Sequence, residues 1–205
     1  MKGASVVFIF LMNINHVNAQ IKNSLSEQKL KGKVITVTDR VYVAEDTILK
    51  QDSKLLSKTI NRFTDKGFLI LSESYDNKEI IKSYSIYRYD TITGLKLEER
   101  NYFPDSIIKE RTLYKYDQHG NLIEEKIFEK NDSLKPAQIN KYDINAKDEP
   151  EFDTDEEKIE IVITTRHRNI DKQGNWLTEI TFEKKHPVSI TKREIEYFVK
   201  PATEE

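Results

Sequence analysis

Residues 114–122 read Tyr-Lys-Tyr-Asp-Gln-His-Gly-Asn-Leu, and this stretch decides the fold that we expect. The carboxylate of Asp117 can accept a backbone N–H and start a type I turn, with the next two residues at its centre. Gly120 then supplies the left-handed conformation that closes a hairpin with a bulge. Because residues 122–128 lead away as an extended arm, the stretch predicts a β-hairpin.

Similar stretches recur along the chain, at residues 61–69, 87–95, 141–146 and 168–176. Their glycines follow one another at intervals of 27, 26 and 54 residues, and the last interval contains the unit 141–146, which has alanine at the glycine position. A fixed interval of this kind indicates a repeat architecture. It predicts five hairpins with a period near 27 residues. Their structural turn residues are Asp65, Gly67, Asp90, Gly94, Asp117, Gly120, Asp143, Asp171 and Gly174.

The repeat predicts an all-β fold, an elongated and twisted antiparallel meander of tandem β-hairpins that forms one domain over residues 20–205. A short helix is expected within residues 22–30, and two strands are expected at 34–38 and 40–43. We expect these N-terminal strands and the final strand, 189–199, to cap the two ends of the array. Residues 148–157 carry seven carboxylates and predict an acidic loop.

The N-terminus has the pattern of a cleaved signal peptide over residues 1–19. Lys2 precedes the apolar run 6–12, and Ala19 provides a small residue for cleavage. A buried strand or helix is the alternative interpretation. The pattern predicts an exported protein, located in the periplasm, at the cell surface or outside the cell. No later apolar stretch is long enough to span a membrane, so no transmembrane segment is expected after cleavage.

Composition excludes several classes of protein. The chain has no cysteine, which excludes disulfides and a lipid anchor on cysteine, and its formal net charge of −2 gives no general attraction to nucleic acid or anionic membranes. Ten tyrosines and nine phenylalanines provide too much apolar surface for a disordered chain, although 33% of the residues are charged.

The motif Tyr-x-Tyr-Asp-x-x-Gly-Asn-Leu at residues 114–122 resembles the YD repeat of the rearrangement-hotspot (Rhs) and teneurin proteins. The resemblance covers roughly residues 60–183, and the opening 30–34 and the ending 175–197 are similar to small exported repeat proteins of Gram-negative bacteria. In large YD-repeat proteins the hairpins form a long curling sheet that can enclose a cargo, but five units are too few for a closed shell. The resemblance implies the fold more than the function. Hairpin repeats of the MORN type are a second possible relative.

Few residues form a pattern that indicates a catalytic, metal or cofactor site. The histidines that follow the leader, His119, His167 and His186, have no metal-binding spacing, so we expect exposed polar residues, no metal site and no cofactor. The acidic residues 153–157 lack the glycine and spacing of a calcium loop. Neighbouring carboxylates on a strand face opposite ways and cannot share one site. The carboxylate pairs are Glu98–Glu99, Glu124–Glu125 and Glu156–Glu157.

Two further patterns have a structural and a functional interpretation. Aromatic residues recur with the hairpins, and they either stabilise the sheet as cross-strand pairs or form a ladder for a glycan or peptide. Asp-Ser/Thr-aliphatic triplets fit ordinary turn chemistry and also look like a bacterial O-glycosylation signal. These triplets begin at Asp46, Asp90, Asp105 and Asp132.

These observations favour a non-enzymatic binding or structural protein of the bacterial cell envelope, with an unknown protein or glycan as partner. The first alternative is a hydrolase of envelope or extracellular polysaccharide that uses carboxylates from different hairpins. The second alternative, an accessory or immunity partner of a secreted toxin, follows from the Rhs resemblance alone. The sequence predicts no catalytic residue for any of these functions.

Overall fold

The computed structural model describes residues 23–44, 54–129, 136–142 and 163–199. These residues form one short helix and eleven strands, which confirms the predicted all-β hairpin meander. The elements are α1 (Ser24–Glu27), β1 (Val34–Val43), β2 (Leu55–Phe63), β3 (Leu69–Tyr75), β4 (Ile81–Tyr89), β5 (Lys96–Tyr102), β6 (Ile108–Tyr116), β7 (Leu122–Glu129), β8 (Gln138–Lys141), β9 (Ile163–Ile170), β10 (Trp176–Glu183) and β11 (His186–Tyr197).

All eleven strands belong to one sheet with the order β8-β7-β6-β5-β4-β3-β2-β1-β11-β10-β9, and every neighbouring pair is antiparallel. The prediction that the first and last strands cap the ends of the array was wrong. Instead β1 pairs with β11 inside the sheet, from Val34 opposite Tyr197 to Val43 opposite Ser189. The predicted strands 34–38 and 40–43 are one continuous strand.

The physical reason for this pairing lies in contacts that link distant parts of the chain. The side-chain amide of Asn175 accepts a hydrogen bond from the backbone N–H of Lys31 and donates one to its carbonyl, and the N–H of Phe198 donates to the carbonyl of Lys33. On the paired strands themselves, Ile195 lies opposite the buried Val37 and packs against the hydrophobic core. The first described range therefore hydrogen-bonds to the last one, and such long-range pairing leaves no trace in a local repeat.

The sheet edges are formed by β8 and β9, which are consecutive strands among the described residues. Ten antiparallel steps separate them in the sheet, so they run in the same direction and do not form a hairpin with each other. Asp143 and Ala146 of the fourth predicted unit lie outside the described residues, as do the acidic residues 148–157. The signal-peptide prediction for residues 1–19 also falls outside them.

A small hydrophobic core lies where α1 covers the sheet. Leu25 and Leu30 pack against Val34, Val37 and Phe63, all of which are buried. The side chain of Asn23 caps the helix by accepting the N–H of Ser26, as Asn does at this position. We call the side of the sheet that carries α1 the helix face, and the other side the open face. Outside this core, most residues of the described strands are half-buried or exposed.

Candidate binding surfaces

The predicted turn glycines all have left-handed backbone angles, with φ of +84° at Gly67, +72° at Gly94, +85° at Gly120 and +86° at Gly174. In the third unit the N–H of Gly120 donates to the carbonyl of Asp117, and the carboxylate of Asp117 accepts the N–H groups of residues 119 and 121. The last unit makes the same bonds on Asp171. The four glycine turns all lie at the same end of the sheet, where each connects two neighbouring strands.

Two turns depart from this pattern. In the first unit Thr64, and not Asp65, occupies the position that Asp117 has in the third unit. The Thr64 hydroxyl accepts the N–H of Phe68, and Asp65 is the exposed residue that follows. In the second unit the turn is one residue longer, because the N–H of Asp90 donates to the carbonyl of Leu95. The carboxylate of Asp90 accepts three hydrogen bonds inside this turn, from the N–H of Ile92 and from the N–H and hydroxyl of Thr93.

Turns also close the opposite end of the sheet, and no glycine marks the two of them that lie at residues 76–80 and 103–107. Glu79 and Ser106 take the left-handed conformation there, with φ of +59° and +67°. Asp105 accepts the N–H of Ile107, so the two described Asp-Ser/Thr-aliphatic triplets both use their aspartate in turn chemistry. The triplets at Asp46 and Asp132 lie outside the described ranges.

A row of small polar side chains crosses the helix face. Directly paired residues share a face, and the pairing runs from Val37 through Asn61, Ser72, Ser85 and Asn101. The hydroxyl of Ser85 donates to the side-chain oxygen of Asn101 at 2.5 Å. All of the polar members are half-buried. The row therefore presents neutral hydroxyl and amide groups beside the α1 core.

Lys96 lies next to this row among tyrosines. Its Nζ is 3.0 Å from Oε2 of Glu99 and 4.3 Å from the ring centroid of Tyr114. Burial alone would lower the pKa of Lys96, but Glu99 and Tyr114 raise it above the ordinary value. Burial raises the pKa of Tyr114 to about 12. Lys96 therefore stays protonated at neutral pH, which suits a structural cation and not a nucleophile or general base.

The structure separates the paired carboxylates that it describes. Glu98 contacts Arg88 and Arg100 on the open face, whereas Glu99 contacts Lys96 and Tyr114 on the helix face. Likewise Glu124 pairs across the sheet with Lys115 and Glu125 with Tyr114. Glu156–Glu157 and the possible calcium segment 153–157 lie outside the described residues.

The histidines lie on different elements of the fold. His119 is exposed in its turn, His186 is exposed at the start of β11, and His167 makes a 2.8 Å contact through Nε2 with Oε2 of Glu179. The His167 ring also stacks on Trp176, with centroids 5.0 Å apart. Within the described ranges, no three His, Asp or Glu side chains group closely enough to hold a metal ion.

The aromatic residues mostly contact cations or one another. Phe63 and Phe128 are buried, and Tyr84 stacks on Tyr102 with centroids 4.7 Å apart. The guanidinium of Arg193 lies 3.6 Å from the centroid of Trp176. Such contacts hold strands together, and they leave fewer free ring faces for a ligand than the sequence pattern suggests. The remaining ring contacts involve Phe68, Tyr75, Tyr87, Tyr89, Tyr114, Phe182 and Tyr42.

A depression of about 280 Å³ lies between the first two glycine turns. Its lining includes the rings of Phe68 and Tyr89, the exposed Ile70, and two carboxylate residues, Asp65 and Asp90. Backbone and hydroxyl donors from Thr93 and the N–H of Ile92 lower the pKa of Asp90. Asp90 is therefore ionised at neutral pH, the opposite of what a general acid of a glycosidase requires.

Comparison with known proteins adds no relative. No protein-family model matches this sequence, and no curated protein matches it either. The resemblance to YD repeats therefore stays a prediction from residues 60–183. The only helix in the described ranges has four residues, and no helix there is long and apolar enough to cross a membrane.

Proposed function

We propose that this protein is an exported, non-enzymatic binding or structural module of the bacterial cell envelope, with a glycan or protein partner. One observation carries the proposal. The described part of the chain is one eleven-stranded sheet, and outside the α1 core solvent reaches most of its strand residues, many of them polar. A sheet of this kind offers many hydrogen-bonding groups at fixed spacing, which suits recognition of an extended polymer.

The helix face supports a polar partner in particular. The row from Asn61 to Asn101 is neutral, and each hydroxyl or amide in it offers donor and acceptor capacity. Glycans and the backbones of extended peptides display the complementary groups. The signal-peptide pattern at residues 1–19 supports encounter with such a partner outside the cytoplasm.

The test begins with the full chain expressed in a Gram-negative host. Export predicts that the protein is recovered outside the cytoplasm with a mass reduced by residues 1–19. The purified protein should then co-sediment with isolated envelope fractions and bind in a glycan array. Ser72→Arg, which puts a long cation in the middle of the polar row, should weaken binding to the partner of the helix face. Lys82→Arg is the matched control at an exposed strand position. Cytoplasmic retention without cleavage, together with no envelope binding, would refute the proposal.

A hydrolase is the second candidate, and the depression lined by Asp65 and Asp90 is the observation that favours it, with the ionised Asp90 as base or nucleophile and not as general acid. The test is release of reducing ends from envelope and extracellular polysaccharides. If this activity exists and uses the depression, Asp65→Asn and Asp90→Asn should each abolish it. Activity that survives both substitutions would exclude this depression as the active site.

A further inference from the structure

Two arginines on the open face are held by a single carboxylate. Oε2 of Glu98 accepts a hydrogen bond from Nε of Arg88 at 3.0 Å, and Oε1 accepts one from Nε of Arg100 at 2.9 Å. The Glu98 side chain is only 8% exposed, whereas those of Arg88 and Arg100 are 61% and 40% exposed. A buried carboxylate thus fixes two guanidinium groups that reach solvent.

This arrangement leaves part of each guanidinium for another acceptor. A guanidinium carries five N–H donors, and the bond to Glu98 uses only the one on Nε. Arg193 shows the contrast, because it donates from both Nε and Nη2 to Asp39, at 2.7 Å each, and only 11% of its side chain is exposed. The Arg193–Asp39 pair is a closed ion pair, and the cluster around Glu98 is an open one.

A depression of about 250 Å³ adjoins the open cluster, and its lining consists of Ile86, Arg88, Glu98, Arg100 and Tyr102. Arg100 and Arg88 lower the pKa of Glu98 although burial acts in the opposite direction, so all three groups are charged. Two cations against one anion leave a net positive charge in this lining. The charge of the depression therefore favours an anion.

The lining also limits the kind of anion. Ile86 is 43% exposed, and Tyr102, whose hydroxyl also interacts with Arg100, contributes its ring, so the depression has apolar surface beside its cationic groups. Its volume lies below the roughly 300–1,000 Å³ of pockets that enclose drug-sized ligands, which suits one small ring. Arginine forks match planar carboxylates with two parallel hydrogen bonds.

We propose that Arg88 and Arg100 bind the carboxylate of a uronic acid unit in an acidic polysaccharide, with the sugar ring against Ile86 and Tyr102. Glu98 is a positioning residue that orients both guanidinium groups. The inference builds on the proposed envelope-binding function and names its ligand class. It places this ligand on the open face, away from the polar row of the helix face.

The test is isothermal titration of the full chain with oligogalacturonate and with oligomannuronate, at low salt. The control ligand is the methyl ester of the oligogalacturonate, which keeps the sugar backbone and removes the charge. We expect binding of at least one acid and none of the ester. Arg88→Gln and Arg100→Gln should each weaken binding about tenfold or more, because each removes charge-assisted hydrogen bonds.

Arg62→Gln is the matched control variant. Arg62 lies on the same face and pairs with Glu73 at 3.2 Å, and it does not line the depression. We expect it to change the affinity by about twofold or less. Arg88→Lys keeps the charge without the fork and should also weaken binding. Arg88→Lys replaces Arg88→Gln in the test if circular dichroism shows that Arg88→Gln is unfolded.

Several outcomes would overturn the inference. These are no binding of either acid, equal binding of the ester, inorganic phosphate competing as well as the uronates, an acidic peptide binding in their place, or an equal loss in Arg62→Gln. Envelope co-sedimentation distinguishes a wrong uronate site from a wrong proposed function. If the wild type and Arg88→Gln sediment equally with the envelope while neither binds uronates, the site is wrong and the function stands.

Discussion

Two turns of this protein have the same sequence pattern and different surroundings. Residues 117–121 and 171–175 both read Asp-x-x-Gly-Asn, and their backbones make the same hydrogen bonds, from glycine to aspartate and from aspartate to the final asparagine. The final asparagines differ sharply, because Asn121 is exposed and Asn175 is only 3% exposed. The local pattern therefore determines the turn and leaves its role open.

The partners of the two asparagines explain the difference. The Asn121 amide donates to the carboxylate of Asp117 in its own turn. The Asn175 amide bonds to both backbone groups of Lys31, at 2.8 and 2.9 Å, and donates to the hydroxyl of Tyr197 at 2.7 Å. One turn is local, and the other joins the start of the described chain to its end. Long-range contacts of this kind fix where β1 and β11 meet.

The largest expected effect is that of Asn175→Ala. It removes three hydrogen bonds and leaves the backbone groups of Lys31 without their partner, so we expect a loss of about 2–3 kcal/mol in the free energy of unfolding. Asn121→Ala should cost less than about 1 kcal/mol, because its side chain is solvated. Urea denaturation followed by circular dichroism measures both. Equal losses would show that the two turns play the same role.

The next largest loss in the free energy of unfolding is expected from alanine substitutions at three turn glycines. Alanine at a left-handed position costs about 1–2 kcal/mol, so Gly120→Ala and Gly174→Ala should each lose about 1 kcal/mol. At Gly174 the added methyl would lie 3.0 Å from Nζ of Lys31, a flexible group that can move away. At Gly67 it would lie 2.6 Å from Nδ2 of Asn23 and 2.9 Å from Cδ1 of Leu25.

Gly67→Ala should therefore be the most harmful of the three, with a loss of about 2 kcal/mol or more. The carbonyl of Gly67 also accepts the N–H of Leu25, so the substitution disturbs the docking of α1. Urea denaturation provides the comparison. A Gly120→Ala variant as unstable as Gly67→Ala would contradict this account, since the nearest atom to its added methyl is Cδ1 of Leu95 at 4.0 Å.

The contrast between local and long-range contacts also explains which features of the fold could be predicted from the sequence. Aspartate acts through its carboxylate and glycine through its backbone angle, both within their own turn, so the turns at 117–121 and 171–175 were predictable from these residue types and their period. The turn at Glu79 was missed, whereas the triplet at Asp105 did indicate turn chemistry. The left-handed positions of Glu79 and Ser106 were not predicted, because nothing in these residue types marks them. The pairing of β1 with β11 was missed because it depends on Asn175 and Lys31, which are 144 residues apart.

The candidate sites were less predictable than the fold. Lys96, Arg88 and Arg100 are single charged residues on strands, and no motif distinguishes them from the other charged strand residues. Their neighbourhood is set by the register between β4 and β5, which the sequence does not specify to one residue. What the sequence did allow was the separation of Glu98 from Glu99, because neighbouring strand residues face opposite ways.

Tyr197 gives a smaller effect that is specific to the 171–175 turn. Its hydroxyl donates to the carboxylate of Asp171, and burial together with this bond raises the pKa of Tyr197 to about 12. An unfolded tyrosine ionises near pH 10, so the raised pKa contributes stability that is complete below about pH 10 and is lost as the pH rises towards 12.

Tyr197→Phe should lower the free energy of unfolding at neutral pH by about 1 kcal/mol and reduce its decline between pH 10 and 12. Tyr114→Phe is the control, because the pKa of Tyr114 is also about 12 and that residue lies away from the turn. Urea denaturation at a series of pH values measures the decline. If Tyr197→Phe and wild type declined in parallel, the bond to Asp171 would not stabilise the turn.

The smallest expected effect comes from the turn at the other end of the sheet. Ser106 occupies a left-handed position without the freedom of glycine, so Ser106→Gly should relieve strain of about 1 kcal/mol. Glycine also increases the entropy of the unfolded chain, which leaves a net gain of about 0.5 kcal/mol. Glu79→Gly is the matched control. Glu79 is also left-handed, with φ of +59°, but it pairs with Lys58 at 2.6 Å, so the loss of this contact should cancel the relief. Thermal unfolding resolves the difference, and a stabilised Glu79→Gly would mean that backbone angle alone governs these turns.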